Sequence, residues 1–235
     1  MSAPPVRPPA ATVAWLDRAS ERAAVKAGLT VESIKVDGRH WTDRAALRDA
    51  LKVARGQSLL HLDLTDMRRR VEALGWVESA DLYRTLPNRL NLKVTERTPF
   101  AVWQYEGELK LIDPTGTVIV SASPADFRDL PLVVGKGAAD DAAELETMLS
   151  AEPALSKRVK AAVRVGDRRW NIRFKNGVEA RLPAQNPREA WRRLARLEQQ
   201  HALLQRNILH VDLRLEDRLV VRRRAVRFRL SGQEI

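Results

Sequence analysis

Between Glu32 and Glu96 the spacing of apolar residues changes from two to three-and-four and back to two, and this order restricts the fold more than any other feature of the chain. ESIKVDG places Ile34 and Val36 on one strand face and stops at the turn dipeptide Asp37-Gly38. Thr42 is placed to cap a helix whose inward positions are Leu47, Ala50, Leu51 and Ala54, with Gly56 ending it. A second helix starts near Thr65, turns Met67, Val71 and Leu74 inward, and stops at Gly75. Asp63 and Asp66 read as acids at the positive end of that helix. Two strands follow, WVESADLYR and RLNLKVTER, separated by the turn Leu86-Pro87-Asn88. Strand, helix, helix, strand, strand describes a self-sufficient α+β unit, two helices on one face of a three-stranded sheet.

Beyond Glu96 short strands dominate: Leu109–Ile112, Thr117–Val120, Leu132–Val134 and Lys160–Val165, with a helix over Asp140–Ser150. WNIRFKNGVEARL alternates through Trp170, Ile172 and Phe174, and back through Val178, Ala180 and Leu182. Asn176-Gly177 predicts a hairpin with a type I′ turn there. Asn186-Pro187-Arg188-Glu189 has the form of a helix start with a capping box, before a face of Trp191, Leu194, Leu197, His201 and Leu204. Strands return at Val211–Leu215 and Leu219–Arg223, and Val226, Phe228 and Leu230 alternate after them. The start, MSAPPVRPPAATVAW, is Pro-rich without an apolar core and reads as a flexible lead-in over residues 1–30, not a secretory signal.

Several kinds of chemistry have no residues to perform them. The chain of 235 residues has no cysteine, so disulfides, thiolate metal sites and a cysteine nucleophile are excluded. The histidines His40, His61, His201 and His210 fall in no metal-ligand spacing, and Gly135-Lys136-Gly137 lacks the pattern of a phosphate loop. These residues predict a protein that is not an enzyme and needs no cofactor. The 41 Lys and Arg against 30 Asp and Glu leave a charge of +11, which suits nucleic acid, an anionic membrane surface or an acidic protein. Arg68-Arg69-Arg70 reads as the solvated face of a helix. The stretch VDLRLEDRLVVRRRAVRFRL carries seven arginines between strand-like apolar positions. On residue chemistry alone it is either a phosphate-binding patch or a charged sheet edge.

Taken in order, the segment Ser33–Glu96 with its Val-Asp-Gly turn and Leu-Gly-Trp-Val junction, then TERTPFAVWQ and KLIDPTGTVI, then ILHVDLRLEDRLVV, resembles the FtsQ/DivIB family of bacterial cell-division proteins. The resemblance implies a POTRA domain (βααββ) at 31–97 and a mixed, β-rich domain at 98–230 with a C-terminal edge strand, followed by a tail at 231–235. It implies a non-enzymatic divisome scaffold that links early and late division proteins. Partners would be FtsB and FtsL, through an acidic strand added at the C-terminal sheet edge, with further division proteins recruited by the POTRA domain. Family members are single-pass inner-membrane proteins whose POTRA and β-domains lie in the periplasm at the division septum. No apolar run here approaches the ~18 residues of a span, so the expectation is the extracytoplasmic part, with Trp15–Ala27 as its membrane-proximal segment.

By the same resemblance, Arg214, the arginine after Val-Asp-Leu, pairs with an acidic residue of the partner. Leu215 stands where an aromatic often follows. The docking edge is Leu219, Val220, Val221, Arg222 and Arg223, the arginines occupying positions where a small residue and a tryptophan can appear. Arg169 (or its neighbour Arg168) is a second pairing arginine. Two other readings are a POTRA protein of outer-membrane assembly or transport, and a basic nucleic-acid-binding protein.

Overall fold

The computed structural model describes residues 19–224, which fall into two compact units, one up to Arg97 and one from Thr98. After helical residues 19–26, the first unit runs β1 (Ser33–Asp37), α1 (Arg44–Leu51), α2 (Leu64–Glu72), β2 (Val77–Thr85) and β3 (Arg89–Glu96). The sheet order is β1-β3-β2, with β3 parallel to β1 and antiparallel to β2. Leu47 and Leu51 from α1 and Met67 and Val71 from α2, each pair four apart, bury against Leu90, Leu92 and Val94 of β3. This is the α+β arrangement that the periodicity predicts.

The helix starts differ in detail from the sequence reading. Asp63 stands at the start of α2 as expected, and there it is the cap, accepting the N–H groups of Thr65 and Asp66 at 3.0 Å each. The cap of α1 is Asp43, whose carboxylate accepts from Ala46 N–H, and Thr42 is used elsewhere. α1 also ends at Leu51, with Lys52 in the left-handed conformation, well before Gly56. The arginines of α2 are not simply solvated: Arg68 pairs with Glu72, Arg69 and Arg70 with Asp66, and Arg70 donates to the carbonyls of Ala50 and Leu51 at the end of α1.

Thr42 belongs to a cradle around Glu96. The carboxylate at the end of β3 accepts N–H bonds from His40 (2.9 Å), Trp41 (2.7 Å) and Thr42 (2.7 Å), and the Thr42 hydroxyl at 2.5 Å. The approach to α1 is thereby fastened to the central strand, and Trp41 stacks on Trp76 with centroids 5.3 Å apart. Burial pushes the Glu96 carboxyl up, but the four donors outweigh it and hold its pKa below the usual value. A depressed folded-state pKa contributes stability above the unfolded value and loses it as pH falls through the folded one. Glu96→Gln should therefore cost roughly 1–3 kcal/mol at neutral pH by leaving donors unsatisfied. Urea midpoints should show the gap from wild type closing as the pH drops below the ordinary carboxylate range. A gap that is the same at acidic and neutral pH would mean that the carboxylate's charge is not what holds the loop.

The second unit is an eight-stranded sheet backed by helices. Its elements are β4 (Ala101–Tyr105), β5 (Glu108–Ile112), β6 (Leu132–Val134), α3 (Ala142–Ser150), α4 (Pro153–Ser156), β7 (Val159–Val165), β8 (Arg169–Phe174), β9 (Glu179–Arg181), α5 (Pro187–His201), β10 (Ile208–Asp212) and β11 (Val220–Arg223). The order is β11-β10-β9-β8-β7-β6-β4-β5, so β11 and β5 are its edges among the described residues. One face is buried. Trp170, Ile172 and Phe174 of β8 pack with Leu145 and Met148 of α3 and Trp191 and Leu194 of α5, and Phe174 stacks on Trp191 at 6.1 Å.

Three local features of this unit differ from the sequence expectations. The β8–β9 hairpin exists, but Gly177 alone is left-handed while Asn176 is not. The bonds Gly177 N–H to Phe174 C=O and Phe174 N–H to Val178 C=O close a three-residue loop, a type I turn with a glycine bulge, rather than a type I′ turn. Residues 117–120 form no strand, only an Ile112–Val118 bridge. The buried Asp113 carboxylate accepts from Thr115 and Thr117 N–H and curls the chain too tightly for a ladder. Asn186 precedes α5 in a left-handed conformation and makes no side-chain cap bond, so the capping box does not form. The alternation at Val226, Phe228 and Leu230, and the lead-in before residue 19, lie outside the described residues.

Candidate functional site

Among the described residues β11 has a free edge, and its direction follows from how β10 is used. β10 pairs parallel with β9 on one side and antiparallel with β11 on the other. Leu213 N–H, just past β10, bonds the Arg181 carbonyl of β9 at 2.9 Å. Main-chain groups point to alternate sides along a strand, so Val211 also faces β9, while His210 and Asp212 face β11. Their opposite residues are Arg222 and Val220, which therefore face inward, whereas Val221, opposite Val211, turns its N–H and C=O outward. Arg223 shares that outward direction, since Arg224 N–H is the next to bond back, to Asn207 C=O at 3.2 Å. All four residues of β11 are exposed. An unpaired strand whose main-chain groups face out is a ready template for another strand.

The opposite edge is blunted. Lys110 and Glu108 of β5 pair at 2.7 Å, and the Leu111 carbonyl is already taken by Ile119 N–H at 2.8 Å. In the first unit, the long edge strand β2 has its Ala80 N–H occupied by the Glu72 carboxylate at 3.2 Å.

Side chains alternate about the same ladder. Trp170, Ile172 and Phe174 face the core, so Arg169, Asn171 and Arg173 lie on the sheet's other face. The registers place Asn171, Arg181, Asp212 and Val220 in one row across four strands, and Arg173, Glu179, His210 and Arg222 in the next. The two rows are tied together by Arg181 to Glu179 at 2.9 Å and Asn171 to Glu179 at 3.3 Å. Arg169 stands two residues along β8 from Asn171, and Arg214 two residues beyond Asp212, at the same end of this face. The two arginines singled out from the sequence are thus brought to one side of one sheet.

Arg214 is already engaged. Its Nε and Nη2 bond both oxygens of Asp212 at 2.6–3.0 Å, and its own N–H reaches Asp212 Oδ1 at 3.1 Å. The guanidinium beside it holds the Asp212 carboxyl below its ordinary value, outweighing partial burial. Among the described residues nothing accepts from Nη1, which leaves a donor for an incoming carboxylate. Asp212, Arg214, Leu215 and Val220 line an open groove beside β11, with Leu215 and Val220 about half exposed, 51% and 49%. Arg222 and Arg223 are exposed on the edge itself. Leu219 differs, being half-buried and packed on the unit's own core. A residue that sequence reasoning passed over is Arg193 of α5, which donates to the carbonyls of Leu213 (3.2 Å), Leu215 (2.9 Å) and Glu216. Nothing in the spacing of α5 marks it, because its acceptors are main-chain groups twenty or more residues away. No group of His, Asp and Glu among the described residues is arranged to hold a metal ion.

Comparison with known proteins matches residues 29–97 to the POTRA domain, FtsQ-type, and residues 101–214 to the cell division protein FtsQ/DivIB, C-terminal. The second match ends at Arg214, so β11 lies beyond it. Cell division protein FtsQ of Caulobacter vibrioides (strain NA1000 / CB15N) is similar at 37% identity over 207 residues, covering 88% of this chain and 68% of that protein. Cell division protein FtsQ of Bradyrhizobium diazoefficiens is 38% identical over 198 residues, 84% of this chain and 58% of its own length. The major extracytoplasmic domain of DivIB from Geobacillus stearothermophilus, a solved structure, is similar over 46% of this chain and 97% of its own at 14% identity. Its TM-score is 0.34.

Proposed function

Because the chain belongs to the FtsQ/DivIB family of cell division proteins, we propose that it is a non-enzymatic divisome scaffold that captures a strand of FtsB, with FtsL, at the β11 edge. In this reading it is the periplasmic part of a single-pass inner-membrane protein at the septum, and the POTRA unit recruits other division proteins. None of the described helices is long and apolar enough to cross a membrane. The observation that carries the reading is the outward-facing main chain of Val221 and Arg223 on a wholly exposed edge strand. Strand addition takes its affinity from such main-chain bonds, and its specificity from side chains on alternate positions. Leu215 and Val220 supply apolar contact, while Arg214, Arg222, Arg223 and Arg169 steer an acidic segment and set its register.

Arg214→Gln tests this directly, because it removes the guanidinium without placing a second negative charge beside Asp212. Affinity for a periplasmic peptide of the cognate FtsB should fall roughly ten- to a hundredfold, the loss of about 1.5–3 kcal/mol from a charged hydrogen bond. Folding stability should fall by no more than about 1–2 kcal/mol, because Asp212, whose side chain is 14% exposed, loses its guanidinium partner but keeps the Arg214 N–H. Full peptide affinity in the variant would remove Arg214 from the site. Retention on duplex DNA at physiological salt, with no peptide binding by wild type, would instead assign the arginines to phosphates.

A further inference from the structure

We infer that Arg193 is a positioning residue for the edge strand: by holding the turn before β11 it sets where that strand is presented. The inference rests on reading β11 as the docking edge, and names a residue on a helix that the docked strand need not touch.

The connection between β10 and β11 spans residues 213–219 and has little to hold it. Leu213 is buried and Leu219 half-buried at its two ends, while 214–218 are all exposed. Arg214 folds back on Asp212, and among the described residues Arg218 pairs only with its neighbour Asp217, both 66% exposed. β11 itself is exposed throughout, so no apolar packing of its own fixes its place. Among the described residues, and beyond the Leu213 N–H bond to Arg181 C=O at its very start, what crosses from this segment to the body of the unit is one guanidinium. Arg193 Nη2 donates to the carbonyls of Leu213 and Leu215, and Nη1 to that of Glu216. The rigid planar fork fixes the three carbonyls relative to one another as well as to α5. Its Nε is buried and finds no acceptor among the described residues, so the bonds of the two Nη atoms to the turn are what hold the guanidinium there. Trp191 and Leu194 on either side of it are fully buried, which anchors the clamp to a helix that does not move freely.

Without the clamp, β11 keeps its ladder to β10, but that ladder contains a bulge between Ile208 and His210 and spans four residues. The segment would then sample many turn geometries, and a partner strand would meet an edge that must first be ordered.

Hydrogen exchange of the full chain tests this in the free protein. In Arg193→Met, which keeps an apolar stem, the bonded amides of this segment, those of Leu213, Arg214, Val220 and Arg222, should exchange roughly tenfold faster or more, while those of β8 and α5 stay at wild-type rates. Affinity for the FtsB peptide should fall by a similar factor. Arg193→Lys should lie between the two, because an ammonium reaches one or two of the three carbonyls as a point donor. Unchanged exchange at those bonded amides overturns the clamp, as does an increase shared equally by β8, which would mark a general loss of stability. Local loosening with unaltered peptide affinity overturns its role in presenting the edge. If wild type itself does not bind the peptide, the docking reading fails, and exchange alone still decides whether Arg193 holds the turn.

Discussion

Val221→Pro is expected to abolish addition of a partner strand while leaving the eight-stranded sheet assembled. Proline removes one N–H and places a ring where that hydrogen was. At most positions of a ladder this would break the host's own pairing. At Val221 the N–H points away from β10, because Val221 lies opposite Val211, and the bonds to β10 run through Val220 and Arg222. Edge strands accept proline on their solvent side for the same reason. The loss should therefore fall on the partner. One main-chain bond disappears and the ring keeps the next strand from closing to its ~4.8 Å spacing. Peptide affinity should drop roughly a hundredfold or more, equivalent to about 2.8 kcal/mol. The control is the same substitution at Val220, whose N–H faces β10: there proline should loosen β11 itself, and hydrogen exchange of β10 should rise. Undiminished peptide binding by Val221→Pro would mean that the partner does not extend this sheet.

The parts of this molecule that were legible in its sequence are those where neighbours in the chain decide the outcome. Leu90, Leu92 and Val94 announce a half-buried strand, and Met67 with Val71 a helix face, because each pattern reports a local period on a buried surface. The Asn-Gly hairpin was legible in place but not in type: the registers of β8 and β9 allow three loop residues, and that selects the bulged turn. The cap of α1 went to Asp43 because Thr42 was claimed by Glu96, more than fifty residues on, a competition that no local rule contains. The site divides the same way. That Arg214 and the Val220–Arg223 strand sit together is a matter of nearby sequence. That Arg169 shares their face, that Asp212 already occupies much of Arg214, and that Arg193 holds the turn all depend on strand order β8-β9-β10-β11. That order includes a parallel β9–β10 crossover through α5, which alternation alone leaves unspecified.

Gly38→Ala should be among the most damaging single changes in the first unit, although it adds one methyl group to an exposed turn. Gly38 follows β1 with φ of +83°, in the left-handed region where a Cβ is disfavoured by about 1–2 kcal/mol. The larger effect is steric. A Cβ there would stand 2.0 Å from the Val94 carbonyl oxygen and 3.2 Å from its carbonyl carbon. Both are main-chain atoms of β3, the central strand, held by β1 on one side and β2 on the other, so neither can swing aside as a side-chain tip would. Relief requires the end of β1 to peel from β3, next to the Asp37–Lys93 register and the 40–42 loop that Glu96 gathers. The total loss should reach about 3 kcal/mol or more, in the range reserved for changes that break packing or backbone geometry. Gly56→Ala separates the two causes. Its φ is +86°, nearly the same, but nothing lies within 4 Å of the added Cβ. It should lose only the conformational part, about 1–2 kcal/mol. Urea unfolding of both variants, with exchange of the β1 and β3 amides, measures the difference. Equal losses at Gly38 and Gly56 would mean that β1 and β3 do not meet as closely as the geometry requires. A larger loss at Gly38, with β1 and β3 amides exposed first, would identify this close approach as what ties the parallel edge to the sheet.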